Sequence, residues 1–151
     1  MKYLFVDFDG VLHGEEYNED YFAHSKMFCD RLEQYQENFR IVVSSSWREV
    51  YEWDILVEAF EKPIQHLVVA HTPILVEGFT DGGRYLEIKQ YCEENNIKDE
   101  QWKAIDDMDR LFPKNCSNLI LTNPLVGLTP KNMDLIEDFV KYPYLKNKLK
   151  P

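Results

Sequence analysis

Apolar runs alternate with segments of helical period along this chain of 151 residues. Short runs rich in β-branched and aromatic residues predict buried strands, and apolar residues every three to four positions predict helices. The predicted strands are residues 3–6, 39–43, 67–70, 102–105 and 119–121. The predicted helices are residues 21 to about 37, 53–61, 84–96 and 130–141. Because apolar strands separated by helices favour a parallel sheet covered on both faces, we predict a three-layer α/β fold.

Polar side chains follow three of the predicted strands. Asp7 and Asp9 come after the first strand, a serine run beginning at Ser44 follows the second, and Asp106 and Asp107 end the fourth. Ligands of open parallel sheets bind at the carboxyl ends of the strands. The sequence therefore predicts that acidic and hydroxyl groups meet at one edge of the sheet.

Asp7 and Asp9 are expected to leave their strand on the same side, because side chains alternate along a strand. Two such carboxylates repel and raise each other's pKa unless a cation lies between them, and hard oxygen ligands suit Mg²⁺. A calcium loop of the EF-hand type is excluded, since it needs glycine at its sixth position between two helices. Gly10 instead occupies the fourth position, after a strand. A simple turn would not explain why Asp106 and Asp107 end another strand in the same way.

Carboxylates next to a metal ion at strand ends can perform phosphoryl chemistry. Asp7 could attack phosphorus and form an acyl phosphate, while the metal offsets the repulsion from an anionic substrate. Asp9, two residues on, could protonate the leaving oxygen and later activate water.

A phosphate site also needs hydroxyl, amide and cationic groups. Ser44 and Ser45 could bind phosphate together with the following backbone N–H groups, or could serve only as helix caps. Arg84 and Lys89 are the candidate cations, and Arg84 is favoured because a cation at a helix start needs a compensating role.

Two further polar residues near these groups have open roles. Arg48 either contacts the substrate or lies on a solvated surface, and His13, close to the acidic loop, is a candidate substrate contact.

The composition of the chain limits the kinds of partner and the location that we expect for it. The net charge of −10 argues against bulk, non-specific nucleic-acid binding, and no stretch approaches the ~20 apolar residues of a membrane span. The start of the chain has too short an apolar run for a signal peptide. The three scattered cysteines favour unpaired thiols and a cytoplasmic location.

Four motifs stand out: the acidic residues after the first strand, Ser44 after the second, the candidate cation at Arg84 or Lys89, and the acidic pair Asp106 and Asp107. In their order and over residues 4–107, they resemble the haloacid dehalogenase (HAD) superfamily. Three segments resemble a small branch of this superfamily that includes domains of RNA-repair systems. They are Asp-Gly-Val-Leu-His, Ser-Ser-Ser-Trp-Arg and a late Asn-Pro-Leu-Val-Gly-Leu-Thr segment. This resemblance implies a Rossmann-like fold over one domain, residues 1–151. It implies that Asp7 is the nucleophile and Asp9 the acid/base, with Ser44 and Arg84 on phosphate. The implied Mg²⁺ ligands are Asp7, the carbonyl of Asp9, and Asp106 or Asp107.

Substrate choice in this superfamily depends on inserted cap domains. The intervals from Asp9 to Ser44 and from Ser44 to Arg84 are too short for one, so we predict an open site with a short flap at residues 13–20. The expected function is a Mg²⁺-dependent phosphatase acting on a phosphomonoester, with a nucleotide or nucleic-acid end as the expected substrate. A catalytically silent metal- or partner-binding module and a phosphotransferase are the alternatives. The sequence does not indicate an oligomeric state.

Overall fold

A five-stranded sheet forms the centre of the computed structural model, which describes residues 1–15 and 21–145. The strands are β1 (Lys2–Val6), β2 (Phe39–Val43), β3 (Val68–His71), β4 (Trp102–Asp106) and β5 (Leu119–Leu121). They are all parallel and lie in the order β3-β2-β1-β4-β5. The predicted α/β fold with a central parallel sheet is confirmed.

Helices cover both faces of the sheet and create two separate hydrophobic cores. They are α1 (Ser25–Leu32), α2 (Trp53–Glu58), α3 (Gly83–Glu94) and α4 (Pro130–Val140). Leu4 and Val6 of β1 belong to the larger core, which also takes in apolar residues of α1, α2 and α4. Phe5 points to the opposite face and packs in the core that contains Ile88 and Cys92 of α3. Because side chains alternate along β1, this strand contributes residues to both cores.

Two helices are shorter than their sequence pattern predicts. The helix expected from residue 21 begins only at Ser25, because the His24 N–H donates to the Leu12 carbonyl at 2.8 Å and holds the preceding residues in a turn. It passes into a 3-10 helix at Glu33–Tyr35. Helix α2 ends at Glu58 rather than 61, since the chain becomes extended before a 3-10 helix that has Pro63 in its first turn.

No segment of residues 1–15 and 21–145 forms a cap domain over the sheet. Residues 16–20 of the expected flap lie outside the described residues. No described helix has the length and apolar character needed to cross a bilayer. All three cysteines are free thiols, as the sequence predicts.

Candidate active site

The strand register places three polar side chains at the carboxyl edge of the sheet. Val6, the last residue of β1, pairs with Val43 of β2 and with Ile105 of β4. The residues that follow these three are Asp7, Ser44 and Asp106. The sequence prediction that the clusters meet at one edge is confirmed for these three positions.

Asp7 lies buried in the middle of this edge, with only 4% of its surface exposed. Its Oδ1 accepts a hydrogen bond from the Phe8 N–H at 2.8 Å, and its Oδ2 lies 3.2 Å from Nη1 of Arg84. These contacts hold the carboxylate in one orientation at the end of β1. Because hydrogen bonding and packing pre-orient it, the group is suited to attack an electrophile above the sheet edge.

Arg84 reaches the sheet edge from the first turn of α3. It is buried, and its Nη1 donates to Oδ2 of Asp106 at 2.6 Å as well as contacting Asp7. Burial alone would lower the pKa of Arg84, but the carboxylates of Asp7 and Asp106 raise it above its usual value. The unfavourable position of a cation at a helix start is thus offset by two acidic partners.

Asp7, Asp106 and Asp107 form an acidic cluster whose ligand atoms lie within 4.8 Å of one another. Burial, followed by the charges of Asp106 and Asp107, raises the pKa of Asp7 well above its ordinary value despite Arg84. Burial and the charge of Asp106 raise the pKa of Asp107 to about 6. Three carboxylates against one guanidinium leave an excess negative charge. This excess, and the three hard oxygen ligands, fit a divalent cation such as Mg²⁺.

Gly10 allows this cluster to close. Its backbone has a φ of +74°, and a side chain at this position would collide with the carboxylate of Asp107. The Gly10 carbonyl accepts a hydrogen bond from the Thr122 hydroxyl at 2.6 Å, which ties the turn to the end of β5. Only glycine combines this conformation with so close an approach.

Asp9 is not one of the three clustered carboxylates, and its side chain is 56% exposed. Its Oδ1 lies 2.8 Å from Nε2 of His13, and its Oδ2 accepts a hydrogen bond from the indole N–H of Trp47 at 3.1 Å. Because β1 ends at Val6, Asp9 lies beyond the strand, and a cation shared between the side chains of Asp7 and Asp9 stays a prediction. The three clustered carboxylates do not include that of Asp9, so its carbonyl contact to a metal stays a prediction.

His13 contacts both Asp9 and a backbone carbonyl through its ring nitrogens. Its Nδ1 lies 2.9 Å from the carbonyl of Gly14, and a carbonyl only accepts, so Nδ1 carries a proton. The 2.8 Å contact between Nε2 and Asp9 then requires one further proton, on the imidazole or on the carboxyl group. This arrangement suits a group that gives and takes a proton.

Ser44 offers a hydroxyl for a ligand. The residue is buried, and its hydroxyl has no hydrogen-bond partner within the described part of the chain. An unpaired buried hydroxyl is costly unless something else binds it. Ser45 is also buried, but its hydroxyl accepts from the Trp47 N–H at 3.2 Å and caps the 3-10 helix Ser46–Glu49. Of the two predicted serines, Ser44 is the one whose hydroxyl has no hydrogen-bond partner among the described residues.

The family of the chain follows from its match over residues 3–133 to the family model described as "HAD domain in Swiss Army Knife RNA repair proteins". The chain belongs to this family of the HAD superfamily. No curated protein and no solved structure matches it. The HAD fold agrees with the parallel sheet and with an acidic cluster at its carboxyl edge.

Two further cations near this HAD site in the sequence prediction are paired with carboxylates. Lys89 pairs with Asp99 at 2.6 Å, ahead of the start of β4 and thus at the opposite edge of the sheet. Arg48 is neither a solvated residue nor a free cation. It is buried, donates to carbonyls of the loop after β3 and lies 2.9 Å from Oε2 of Glu87 on α3. Arg48 therefore anchors the helix that carries Arg84.

The late segment at residues 123–129 supports the His13 loop of the HAD domain, a role that sequence reasoning missed. The Glu15 N–H donates to the carbonyls of Pro124 and Leu125 at 3.1 Å each. A side chain at Gly14 would collide with the Leu125 backbone, so two backbone segments pack closely there. The paired glycine positions, 14 and 127, were the available signal of this close approach.

The raised pKa of Asp107 predicts a pH-dependent effect on stability. Since the folded-state pKa rises from 3.8 to about 6, this group favours folding at acid pH, and its contribution is lost as the pH rises through that range. Without metal, the melting temperature of Asp107→Asn relative to wild type should therefore increase between pH 4 and pH 7. At pH 7, Mg²⁺ should stabilise the wild type and so reduce the difference in melting temperature between Asp107→Asn and wild type. Thermal melts in EDTA and in Mg²⁺ measure both, and a pH-independent difference would contradict the assignment.

Proposed function

We propose that this HAD domain is a Mg²⁺-dependent phosphatase that hydrolyses phosphomonoesters through a phospho-Asp7 intermediate. The observation that carries the proposal is the separation of two carboxylates with different surroundings. Asp7 is buried against Arg84 and the acidic pair, whereas Asp9 is exposed and contacts His13 and Trp47. Such a difference in environment suits one carboxylate for attack and the other for proton transfer.

In the first step, a carboxylate oxygen of Asp7 attacks phosphorus and the bond from phosphorus to the ester oxygen breaks. Asp9 gives its proton to the departing oxygen, so the alcohol leaves neutral. His13 holds the Asp9 carboxyl in place from Nε2, and the Trp47 indole holds its other oxygen. The products of this step are the free alcohol and the acyl phosphate on Asp7.

In the second step, Asp9 takes a proton from water as the water oxygen attacks the phosphorus of phospho-Asp7. The bond between phosphorus and the Asp7 oxygen breaks, which restores the carboxylate and releases inorganic phosphate. Asp9 ends the cycle protonated, as it began. The unpartnered hydroxyl of Ser44 and the guanidinium of Arg84 are the groups that would hold the phosphate oxygens.

Asp7, Asp106 and Asp107 are the side chains that would hold Mg²⁺, with the Asp9 carbonyl as a further ligand. When bound, the ion would supply positive charge that offsets the repulsion between the acidic cluster and the phosphate dianion. The excess negative charge of the cluster supports this part of the proposal.

A nucleotide or a nucleic-acid end is the proposed source of the phosphate. The family description names RNA repair, and no cap domain of the described residues encloses the site. The net charge of −10 opposes long, charge-driven contacts with nucleic acid, which favours recognition of the end alone.

Release of inorganic phosphate tests this function. The purified protein is incubated with phosphorylated metabolites, mononucleotides, and oligonucleotides phosphorylated at the 5′ or 3′ end. We expect release in Mg²⁺ that disappears in EDTA and returns when Mg²⁺ is restored. Transfer of phosphate to an added alcohol in place of water would identify a phosphotransferase. An absence of turnover on every substrate in Mg²⁺ would contradict catalysis and favour a binding module.

A further inference from the structure

Two aromatic side chains form a stack beside the proton-transfer group. The rings of Trp47 and Tyr51 have centroids 4.6 Å apart and planes inclined by 31°. Trp47 also donates its indole N–H to Asp9 at 3.1 Å. These two short distances place the Tyr51 ring within one nucleoside's length of the Asp9 carboxyl group. We call Trp47 and Tyr51 the aromatic ledge.

The ledge adjoins the carboxyl group that would protonate the leaving group. A general acid has to reach the ester oxygen that it protonates, so the alcohol part of the substrate starts next to Asp9. The indole of Trp47 touches the Asp9 oxygen opposite the one that His13 contacts. An alcohol that departs on the Trp47 side of Asp9 would run along the ledge.

The two rings of the ledge differ in how they are packed. Trp47 is partly buried and also has ring contacts with Phe8, at 5.9 Å, and with Phe22, at 5.3 Å. Tyr51 is 42% exposed and rests on Trp47. The inner ring is thus fixed by the core, and the outer ring presents an aromatic surface to solvent. A rigid, exposed ring of this kind is a stacking surface for a planar group.

The described arginines at this edge of the sheet are each paired with carboxylates, which reduces the positive charge that they offer to a phosphodiester backbone. Arg84 is paired with Asp7 and Asp106, and Arg48 with Glu87. Arg110, at the end of the 3-10 turn after β4, is paired with Asp81. This pairing favours a contact with the base over contacts with additional phosphates as a source of affinity for a nucleotide or nucleic acid.

We propose that the aromatic ledge binds the nucleobase of the leaving nucleoside, with Tyr51 stacking on the base and Trp47 supporting Tyr51. The inference rests on the proposed phosphatase function and names its substrate class: a phosphomonoester of a nucleoside, free or at the end of a single strand. Stacking accepts any base, because every base has an aromatic face. Tyr51 is therefore a specificity-determining residue that separates nucleoside phosphates from sugar phosphates.

The test compares nucleoside 5′- and 3′-monophosphates with ribose 5-phosphate, which lacks the base. Tyr51→Leu should lower the ratio of kcat/KM for nucleotide to kcat/KM for ribose 5-phosphate by about 5- to 100-fold, the range of one lost stacking contact. Tyr51→Phe keeps the ring and should retain the ratio. Tyr142→Leu, at an exposed tyrosine beyond α4, is the matched control and should also retain it. An unchanged ratio in Tyr51→Leu would overturn the proposal.

A binding measurement separates this inference from the proposed function. Asp7→Asn protein carrying Trp53→Phe is titrated with nucleoside monophosphate while tryptophan fluorescence is followed. We expect quenching of the tryptophan fluorescence that saturates with nucleotide. Adding Tyr51→Leu should weaken binding, so that the dissociation constant increases by about 5- to 100-fold. If no substrate is hydrolysed but nucleotide binds and Tyr51→Leu weakens that binding, the proposed phosphatase function is refuted and the proposed role of the ledge is supported. If phosphate is released but Tyr51→Leu binds equally well, the ledge fails alone.

The same titration distinguishes the two sources of the base. Oligonucleotides with a terminal phosphate are compared with the mononucleotide, again with and without Tyr51→Leu. Tighter binding of the oligonucleotide, lost in Tyr51→Leu, assigns the ledge to a nucleic-acid end. Equal binding of both, also lost in Tyr51→Leu, assigns it to a free nucleotide or to the terminal nucleoside alone.

Discussion

Asp7→Asn is expected to lower kcat/KM for phosphomonoester hydrolysis by on the order of 10⁴-fold or more, the loss typical of removing a nucleophile that acts as part of a unit. The amide keeps the shape of the side chain, and its oxygen can still accept the Phe8 N–H, which now donates to Oδ1 at 2.8 Å. It is a far weaker nucleophile than a carboxylate, so no acyl phosphate forms. Phosphate release under single-turnover and steady-state conditions measures the loss.

The matched control is Asp9→Asn, which leaves the nucleophile in place. Removing a general acid costs about 10²–10⁴-fold, and the loss should be smaller for 4-nitrophenyl phosphate, whose leaving group needs little protonation. With that substrate, a burst of 4-nitrophenol should precede slow turnover, because Asp9 is also needed to activate water. Wild-type rates in Asp7→Asn with an intact fold would refute the nucleophile assignment.

Stability distinguishes this loss of activity from unfolding. Burial raises the pKa of Asp7 well above its ordinary value, so its charge opposes folding when no metal is bound. Asp7→Asn removes one of three clustered carboxylates. The variant should therefore melt in EDTA at or above the wild-type temperature while it loses activity, and Mg²⁺ should stabilise it less than wild type.

Arg84→Met is expected to have the largest effect on the free energy of unfolding. Removing one partner of a buried ion pair costs about 3–5 kcal/mol, because the remaining charge stays buried and uncompensated. Here the side chains of Arg84, Asp7 and Asp106 are only 6%, 6% and 0% exposed. Urea unfolding at pH 7 in EDTA measures the loss. Activity should fall as well, since Arg84 is a proposed phosphate ligand.

Two comparisons make the Arg84 prediction specific. Arg110→Met breaks an ion pair whose side chains are 50% and 86% exposed, so it should change the free energy of unfolding by no more than about 1 kcal/mol. The Arg84→Met loss should shrink when Mg²⁺ is added, since the ion supplies the missing positive charge. It should also shrink below about pH 6, where Asp107 becomes protonated. An Arg84→Met protein as stable as wild type at pH 7 without metal would contradict the structural role of the pair.

The position of the site could be predicted from the sequence because it depends on backbone topology. Apolar runs mark the buried strands, parallel pairing aligns their carboxyl ends, and the residues after those runs must then be neighbours. Asp7, Ser44 and Asp106 follow this rule, and the register of β1 with β2 and β4 confirms it. Arg84 was favoured over Lys89 by its position at a helix start, where a cation needs a partner.

The partners that each of these side chains contacts depend on the tertiary structure. Alternation along a strand predicts a common direction for Asp7 and Asp9, but the chain turns after Asp7 and sends Asp9 to His13 and Trp47. Arg48 is not on a solvated surface, because it is buried in an ion pair with Glu87, and its contact with substrate stays a prediction. Ion-pair partners and ring contacts depend on which elements pack together, and that information lies between segments rather than within any one of them. The sequence by itself thus determined where the chemistry lies, whereas the tertiary packing assigned each carboxylate its partners and placed the aromatic ledge beside them.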